Sequence, residues 1–256
     1  LMETVILTNK VAVALAKIYK RGFKVDVDTL QKVKTEFENE KTAIENRLKE
    51  QVIQLMGDTP INLSSPEQMS WVIYSRKPKD KAMWANSFTP YMPDKDFKKT
   101  VKDSSDIVYK TKAERCQTCL GTGKIRKVRK NGIPYANTNN CTDCNSNGYH
   151  FQHTSAIAGL KFTPPNAKWV SANGFTVNKT NLVILQNIAK SKNLTNAQNF
   201  LEDLQRLSAL ETYLSSFVEG ITTHLKSDGK LHVRLLQHRT ATGRFSGADP
   251  NMQNMP

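Results

Sequence analysis

The sequence predicts a mainly α-helical protein with a small β part, an α+β fold class that carries a compact cysteine-rich insert. Three observations support this prediction. Apolar residues recur at spacings of three, four and seven in several long segments, as they do on one face of a helix. Two C-x-x-C pairs stand close together in the middle of the chain. The segment LHVRLLQHRT, near the carboxyl end, has the composition of a β-strand.

The amino-terminal part predicts two long helices. The first covers residues 3–21 and ends at Gly22, because glycine readily adopts the left-handed conformation that closes a helix. Asp28 is expected to cap the second helix, whose apolar face continues to Gly57.

A third helix is expected after the phrase INLSS. Ser65 can be its N-cap, Pro66 its first residue, and the side chain of Gln68 can close a capping box. Residues 76–112 and 161–178 contain several prolines and no regular apolar pattern, and both are predicted to be irregular connections.

Helical spacing of apolar residues returns in the second half of the chain. One helix is predicted to begin near Thr180 and another near Thr195, the latter extending to about Ile221. The phrase KSDGK then predicts a turn before the strand-like LHVRLLQHRT.

The composition describes a soluble globular protein with a large excess of positive charge. The 256 residues are 38% hydrophobic and 23% charged, and the formal net charge is +14. This charge favours a polyanion, above all nucleic acid, as the partner, and a generally soluble basic protein is the alternative. The sequence has no apolar run of about 18 residues, and its first 21 residues lack the features of a signal peptide. No membrane partner is therefore expected, and the expected location is cytoplasmic.

The cysteine module predicts a structural zinc site. Tetrahedral Zn²⁺ takes four thiolates, and four thiolates leave no open position for catalysis. A glycine after each pair allows the turn to tighten, so that backbone N–H groups approach the sulfur atoms. Redox thiols and accidental pairs are the competing interpretations, and His150 and His153 are expected to be surface residues. The predicted ligands are Cys116, Cys119, Cys141 and Cys144.

Cations cluster between the cysteine pairs. From residue 110 to 130 the only acidic residue is Glu114, so this metal-stapled region is suited to contact with phosphates. A solvated loop whose charges only maintain solubility is the alternative. The candidate DNA-binding residues here are Lys124, Arg126, Lys127, Arg129 and Lys130.

The closing segment, RTATGRFSGADPNMQNMP, resembles the motif that precedes the catalytic centre of family A DNA polymerases, which reads approximately TATGRLSS, two variable residues and PNLQNIP. Phe245, Gly247, Met252 and Met255 depart mildly from the motif. The matching residues are Thr240, Ala241, Thr242, Gly243, Arg244, Ser246, Pro250, Asn251, Gln253, Asn254 and Pro256.

The resemblance extends upstream and implies a domain plan. The phrases RGFKVDVDTL, INLSSPEQMSWVIY and FLEDLQRLSALETYL are similar to phrases of the polymerase thumb. Thumb helices are accordingly expected in residues 1–75 and 161–228, and the start of the palm with its DNA-binding motif in residues 229–256. Residues 76–160 are expected to form a basic connection and the zinc-knuckle insertion.

The resemblance also implies a role for the closing motif. Correct base pairs place hydrogen-bond acceptors at equivalent positions in the minor groove, so side-chain donors can contact any sequence yet lose bonds at a mismatch. Arg244 is expected at the primer-terminal groove, with Asn251, Gln253 and Asn254 along the same groove or the template. The candidate DNA-binding residues here are Arg244, Asn251, Gln253, Asn254, Thr242, Gly243 and Ser246.

The family's catalytic residues have no counterpart in this sequence. Phosphoryl transfer needs Mg²⁺ held by palm aspartates, in motifs such as DYSxxE and HDE that follow the PNxQNxP phrase in the family. None is present, so no catalytic residue is predicted, Mg²⁺ is expected only in the missing catalytic part, and the chain alone is expected to be inactive. It is interpreted as a cut piece, the ordered part of a longer chain, or one subunit of a split polymerase whose second chain carries the fingers and catalytic palm.

The expected context is DNA replication on primer–template DNA, in a nucleoid-associated cytoplasmic setting of a bacterium or a phage-infected host. A non-catalytic zinc-containing nucleic-acid-binding protein is the alternative function, and a chaperone-like protein whose knuckles hold a peptide is a third.

Overall fold

The structure is a computed structural model that describes residues 2–59, 61–77, 106–134, 136–144, 146, 148–164, 169–171, 174–237, 239–240, 243–250 and 252. Its α-helices are α1 (Met2–Arg21), α2 (Val27–Met56), α3 (Pro66–Tyr74), α4 (Lys179–Ser191), α5 (Thr195–Thr212) and α6 (Glu219–His224), with a π-helix (Tyr213–Val218) between α5 and α6. Its strands are β1 (Phe23–Lys24), β2 (Tyr109–Arg115), β3 (Lys124–Ile125), β4 (Asn139–Asn140), β5 (Tyr149–Ile157), β6 (Val170–Ser171), β7 (Gly174–Phe175), β8 (Lys230–Leu231), β9 (Arg234–Leu236) and β10 (Ser246–Ala248).

Helices dominate this architecture, and the strands of the described residues pair into small two-stranded antiparallel sheets. The pairs are β1 with β8, β2 with β5, β3 with β4, β6 with β7, and β9 with β10. The predicted fold class, mainly α with a small β part, is therefore confirmed. No helix within the described ranges is both long and apolar enough to cross a membrane.

The second helix begins two residues earlier than Asp28 predicts. Gly22 does follow α1, with φ of 66°. The N-cap of α2, however, is Asp26, whose Oδ1 accepts a hydrogen bond from the Thr29 amide at 3.1 Å and whose Oδ2 accepts one from the Thr29 hydroxyl at 2.8 Å. These bonds hold the pKa of Asp26 below its ordinary value. Asp28 lies inside the first turn instead.

The predicted cap of α3 is confirmed in part. Ser65 is extended and its hydroxyl accepts a hydrogen bond from the Gln68 amide at 3.4 Å, with Pro66 next in the chain. The Gln68 side chain does not close a capping box. Its Oε1 accepts from the amide of Asn62 at 2.6 Å, which ties the preceding turn to the helix.

The chain forms two compact units, one made of Leu1–Glu45 with Leu204–Pro256 and the other of Asn46–Asp203. The boundary falls inside α2 and α5, which continue from one unit to the other. The domain limits predicted from the sequence stay a prediction.

The first unit has a small apolar core at the β1–β8 sheet. Leu231 is 1% exposed and packs with Ile221 and Val233, and Leu30 of α2 lies against this cluster. The same unit contains a bidentate ion pair between α5 and α2. Both nitrogen atoms of the Arg206 fork donate to the carboxylate of Glu40 at 2.7 Å. The Arg206 guanidinium is thus engaged within the protein.

The second unit has the larger core, built around α3. Trp71, Ile73 and Tyr74 are each no more than 2% exposed. The Tyr74 ring lies 5.2 Å from that of Phe175, its hydroxyl donates to the Thr176 carbonyl at 3.3 Å, and burial raises its pKa. Other buried apolar residues of this unit are Leu48, Val52, Met56, Met69, Val72, Val108, Leu185, Phe200 and Leu201.

A long antiparallel stem carries the cysteine module. Strand β2 pairs with β5 from Tyr109 opposite Ile157 to Arg115 opposite Tyr149, with a register shift near Thr111. The prediction of an irregular connection over residues 76–112 is therefore wrong for its last four residues, and residues 78–105 lie outside the described part. Because the stem ends at Arg115, it delivers Cys116 directly to the module.

Candidate metal centre and nucleic-acid interface

The four cysteines form one buried group at the end of the stem. Cys116, Cys141 and Cys144 are fully buried and Cys119 is 5% exposed. All four sulfur atoms lie within 4.8 Å of one another, with Cys116 Sγ 3.9 Å from Cys141 Sγ and Cys119 Sγ 3.5 Å from Cys144 Sγ. A tetrahedral zinc ion with Zn–S bonds of about 2.3 Å separates its sulfur ligands by about 3.8 Å. The group could therefore bind a metal ion of this kind.

Two similar halves build this group. The Cys116 amide donates to the Gly148 carbonyl and the Cys141 amide to the Gly123 carbonyl, both at 2.9 Å. The Gly123 amide donates to Cys119 Sγ at 3.3 Å, and the Gly148 amide donates to Cys144 Sγ at 3.1 Å. These bonds confirm the predicted approach of backbone N–H groups to sulfur. Main-chain hydrogen bonds thus join the two halves. In addition, two sulfur atoms accept N–H hydrogen bonds, which stabilise the thiolate form.

The pKa values of the thiols are shifted in different directions. Burial raises the pKa of Cys116 to about 12 and also raises that of Cys144. Burial acts in the same direction on Cys119, but hydrogen bonds from the Cys144 thiol and the Gly123 amide outweigh it and lower the pKa of Cys119 to about 7. A metal ion must displace the thiol protons, so its affinity for this group falls as the pH falls.

Asp143, which was not among the residues predicted from the sequence, is a neighbour of the thiols. Asp143 Oδ2 accepts hydrogen bonds from the Thr118 hydroxyl at 2.7 Å and the Cys116 thiol at 3.2 Å, and these bonds lower the pKa of Asp143. His150 Nε2 lies 3.6 Å from the same oxygen. A signal for Asp143 did exist, because it occupies the same place in the second C-x-x-C turn as Thr118 does in the first. The side chain of His153 lies outside the described part.

A glycine substitution tests how tightly the two halves are joined. Gly148 has φ of 78°, and a Cβ there would overlap the carbonyl oxygen of Gly121. Gly148→Ala is therefore expected to weaken metal binding by at least about tenfold, since a left-handed alanine costs about 1–2 kcal/mol before any clash. Gly132, with φ of 80° and no atom within 4 Å of the added Cβ, is the matched control. Chelator competition measures the affinity, and equal losses in both variants would contradict the tight joint.

The predicted cations lie on a hairpin that leaves the cysteine group. Strands β3 and β4 pair at its base, where Lys124 faces Asn140. Residues 126–134, here named the basic hairpin, follow. Every residue in this range is exposed, and Val128 pairs with Pro134 near the tip. The structure thus brings Lys124, Arg126, Lys127, Arg129 and Lys130 together on one projection.

The closing segment places Arg244 after a tight turn. Gly243 has φ of 72°, its amide donates to the Thr240 carbonyl at 3.3 Å, and the Thr240 hydroxyl donates to the Arg244 carbonyl. The Arg244 side chain is exposed, and among the described residues no carboxylate pairs with it. Strand β10 then begins at Ser246, opposite Leu236. The remaining candidates, Thr242, Asn251, Gln253 and Asn254, lie outside the described residues.

Comparison with known proteins shows that part of the chain is similar to bacterial DNA polymerases. No protein-family model matches the chain. DNA polymerase I of Lactococcus lactis is 39% identical over 70 residues, which cover 23% of this chain and 8% of that protein. DNA polymerase I of Streptococcus pneumoniae is 48% identical over 42 residues, 16% of this chain and 5% of that protein. Part of the chain is therefore similar in sequence to DNA polymerase I, a family A DNA polymerase. The resemblance predicted from the closing motif is thereby confirmed.

One solved structure also aligns with the chain. It is the polymerase domain of Pol1 from M. smegmatis, in complex with DNA primer-template and dNTP, with 18% identity and a TM-score of 0.47. The alignment covers 94% of this chain and 25% of that one. The segments aligned with the curated polymerases are a small fraction of those proteins.

Proposed function

We propose that this chain is the part of a family A DNA polymerase that binds primer–template DNA for template-directed nucleotide addition in replication. One observation carries the proposal. The exposed Arg244 follows a glycine turn within an almost complete copy of the family's motif, and curated polymerases of this family match the chain. A guanidinium in this position can donate to minor-groove acceptors that all correct base pairs share.

In this proposal the two thumb segments and the start of the palm keep the limits 1–75, 161–228 and 229–256. The cysteine group between them holds a structural Zn²⁺, since its sulfur spacing and burial fit a tetrahedral Cys₄ site. The cations of the module then contact DNA phosphates, which supply affinity without sequence preference.

Catalysis requires residues outside these 256. The sequence contains neither a DYSxxE nor an HDE phrase, so the carboxylates that hold Mg²⁺ would come from elsewhere in the same polypeptide or from a second chain. The 256 residues alone would bind primer–template DNA and form no phosphodiester bonds.

Binding to three DNA forms tests the proposal. Fluorescence anisotropy is expected to show that the chain binds a recessed primer–template junction about tenfold more tightly than blunt duplex or single strand. This factor corresponds to a contribution of about 1–3 kcal/mol from one donor of the motif at the primer terminus. All affinities should fall as salt rises, because phosphate contacts release counterions. Equal affinity for junction and blunt duplex would favour the alternative, a non-catalytic zinc-containing nucleic-acid-binding protein.

A further inference from the structure

We propose that the basic hairpin, residues 126–134, enters the major groove of double-stranded DNA. This inference rests on the proposed DNA-binding function and adds the form of DNA and the groove. It concerns a different surface from the closing motif, whose donors are suited to the minor groove.

The shape of the hairpin fits this groove. Two antiparallel strands lie about 4.8 Å apart, and the major groove of B-DNA, about 12 Å wide and 8.5 Å deep, admits a two-stranded ribbon with its side chains. The chain from Arg126 to Lys130 can extend by up to about 13 Å beyond the β3–β4 base at 3.3 Å per residue. The hairpin is therefore long enough to reach the groove floor.

The tip is ordered by its own hydrogen bonds. The Gly132 amide donates to the Arg129 carbonyl and the Arg129 amide to the Ile133 carbonyl, both at 2.9 Å. Asn131 Oδ1 accepts from the Ile133 amide at 3.2 Å. A tip that is already in one conformation loses less entropy on binding. At the other end, Ile125 of β3 packs on the buried cysteine group, which anchors the base.

The charge and the exposure of the basic hairpin indicate which surface of DNA it contacts. Residues 124–134 contain five cations and no acidic residue. Val128 and Ile133, 59% and 56% exposed, lie among these cations. A hairpin that buries none of its side chains gains little stability by itself, so its apolar residues are available to a partner. Phosphates on both walls of a groove complement the cations, and thymine methyl groups on its floor complement Val128 and Ile133.

The described residues 126–134 offer no aromatic side chain on which bases could stack, which disfavours single-stranded nucleic acid as their ligand. Proteins that bind single strands stack the bases on aromatic side chains. Residues 126–134, which read RKVRKNGIP, contain no aromatic residue. Isoleucine and valine offer no stacking surface, whereas a closed duplex requires none. The double-stranded form is therefore the one that this surface fits.

The experiment compares an ordinary duplex with one whose major groove is filled by glucosylated hydroxymethylcytosine. The wild-type chain is expected to bind the filled duplex about tenfold more weakly, because the hairpin loses its groove contacts. A variant in which four hairpin cations are glutamine should bind both duplexes equally, and its salt slope should be smaller by about 3–4. The four substitutions are Arg126→Gln, Lys127→Gln, Arg129→Gln and Lys130→Gln.

A control of equal charge loss separates groove entry from net charge. In this control, four exposed cations of α1 are replaced by glutamine together. The variant should bind duplex DNA slightly more weakly and should still bind the filled duplex more weakly than the ordinary one. The four residues are Lys10, Lys17, Lys20 and Arg21. Equal wild-type affinity for filled and ordinary duplex would overturn the inference, as would an equal loss of single-strand affinity in the hairpin variant. Wild-type protein that binds no primer–template at low salt would overturn the proposed function as well. If the wild-type chain binds the primer–template junction equally well with a filled and an ordinary major groove, only the inference about the basic hairpin is overturned.

Discussion

Replacing Cys116 with serine is expected to abolish stoichiometric zinc binding and to unfold the cysteine module. A serine hydroxyl is not deprotonated at neutral pH and is a poor zinc ligand, so the tetrahedral site loses one of its thiolates. Structural zinc contributes about 10–16 kcal/mol in small zinc modules, and the loss of one thiolate should remove several kcal/mol of it. Cys116 is fully buried, and Ile125 is the one apolar side chain of the described residues that packs on the cysteine group. Without metal, the module therefore keeps main-chain hydrogen bonds but almost no apolar core.

The remaining helices should survive this substitution. The core around Trp71 and Leu48 is built from other residues than the cysteine cluster, so helical circular dichroism should fall little. Metal analysis and limited proteolysis within the module provide the main readouts. His150→Ala is the matched control, because it removes the imidazole that lies 3.6 Å from Asp143 and keeps all four thiolates. Wild-type protein without zinc, or a Cys116→Ser variant that retains it, would contradict the proposed metal site.

Local chemistry explains which features the sequence could predict. The cysteine group was predictable because each C-x-x-C turn brings two thiolates together without help from distant residues. The end of α1 was predictable for the same reason, because Gly22 needs only its own backbone conformation to stop a helix. The strand at LHVRLLQHRT was confirmed as β8 and β9.

Features that depend on distant partners were not predictable. Strand β2 reads YKTKAER, which lacks the alternating β-branched pattern of a strand, and it is held by pairing with β5 beyond the whole module. The start of α2 was misplaced because Phe23 pairs with Leu231, and the Val25 amide donates to the Gly229 carbonyl at 3.2 Å. These contacts keep the chain extended up to Asp26, which then becomes the cap. Sequence spacing alone gave no such information.

The helix after Thr195 shows a further limit. Its apolar spacing predicted one continuous helix to about Ile221, but a π-helix interrupts it at Tyr213–Val218. The wider turn changes which side chains share a face, and the Tyr213 ring lies 5.8 Å from Phe37 and 6.3 Å from Phe217. A π-helix can be favoured by such packing, which periodicity over a single segment does not report.

Replacing Arg244 with alanine is expected to weaken binding to a primer–template junction by about 5- to 150-fold, corresponding to 1–3 kcal/mol for a lost donor fork. The guanidinium is exposed and no carboxylate of the described residues pairs with it, so its removal should cost little folding stability. The turn that carries it is formed by Thr240 and Gly243 through main-chain and hydroxyl contacts, which the substitution leaves in place.

Two further variants separate recognition from charge. Lys226→Ala removes one exposed cation in the same compact unit and should change junction affinity by less than about twofold, since a single exposed charge is weakly coupled to distant phosphates. Arg244→Lys keeps the charge but loses the planar fork, so it should recover only part of the lost affinity.

A mismatched primer terminus completes the argument for Arg244. If the guanidinium donates to the acceptors that correct pairs share, a terminal mismatch should weaken wild-type binding and have little further effect on Arg244→Ala. Anisotropy titrations with matched and mismatched junctions measure both quantities. Equal affinity of Arg244→Ala and Lys226→Ala for the matched junction would remove Arg244 from the interface. If a terminal mismatch weakens binding by the same factor in wild type and in Arg244→Ala, Arg244 contacts a phosphate and not the bases. A phosphate contact does not sense base geometry.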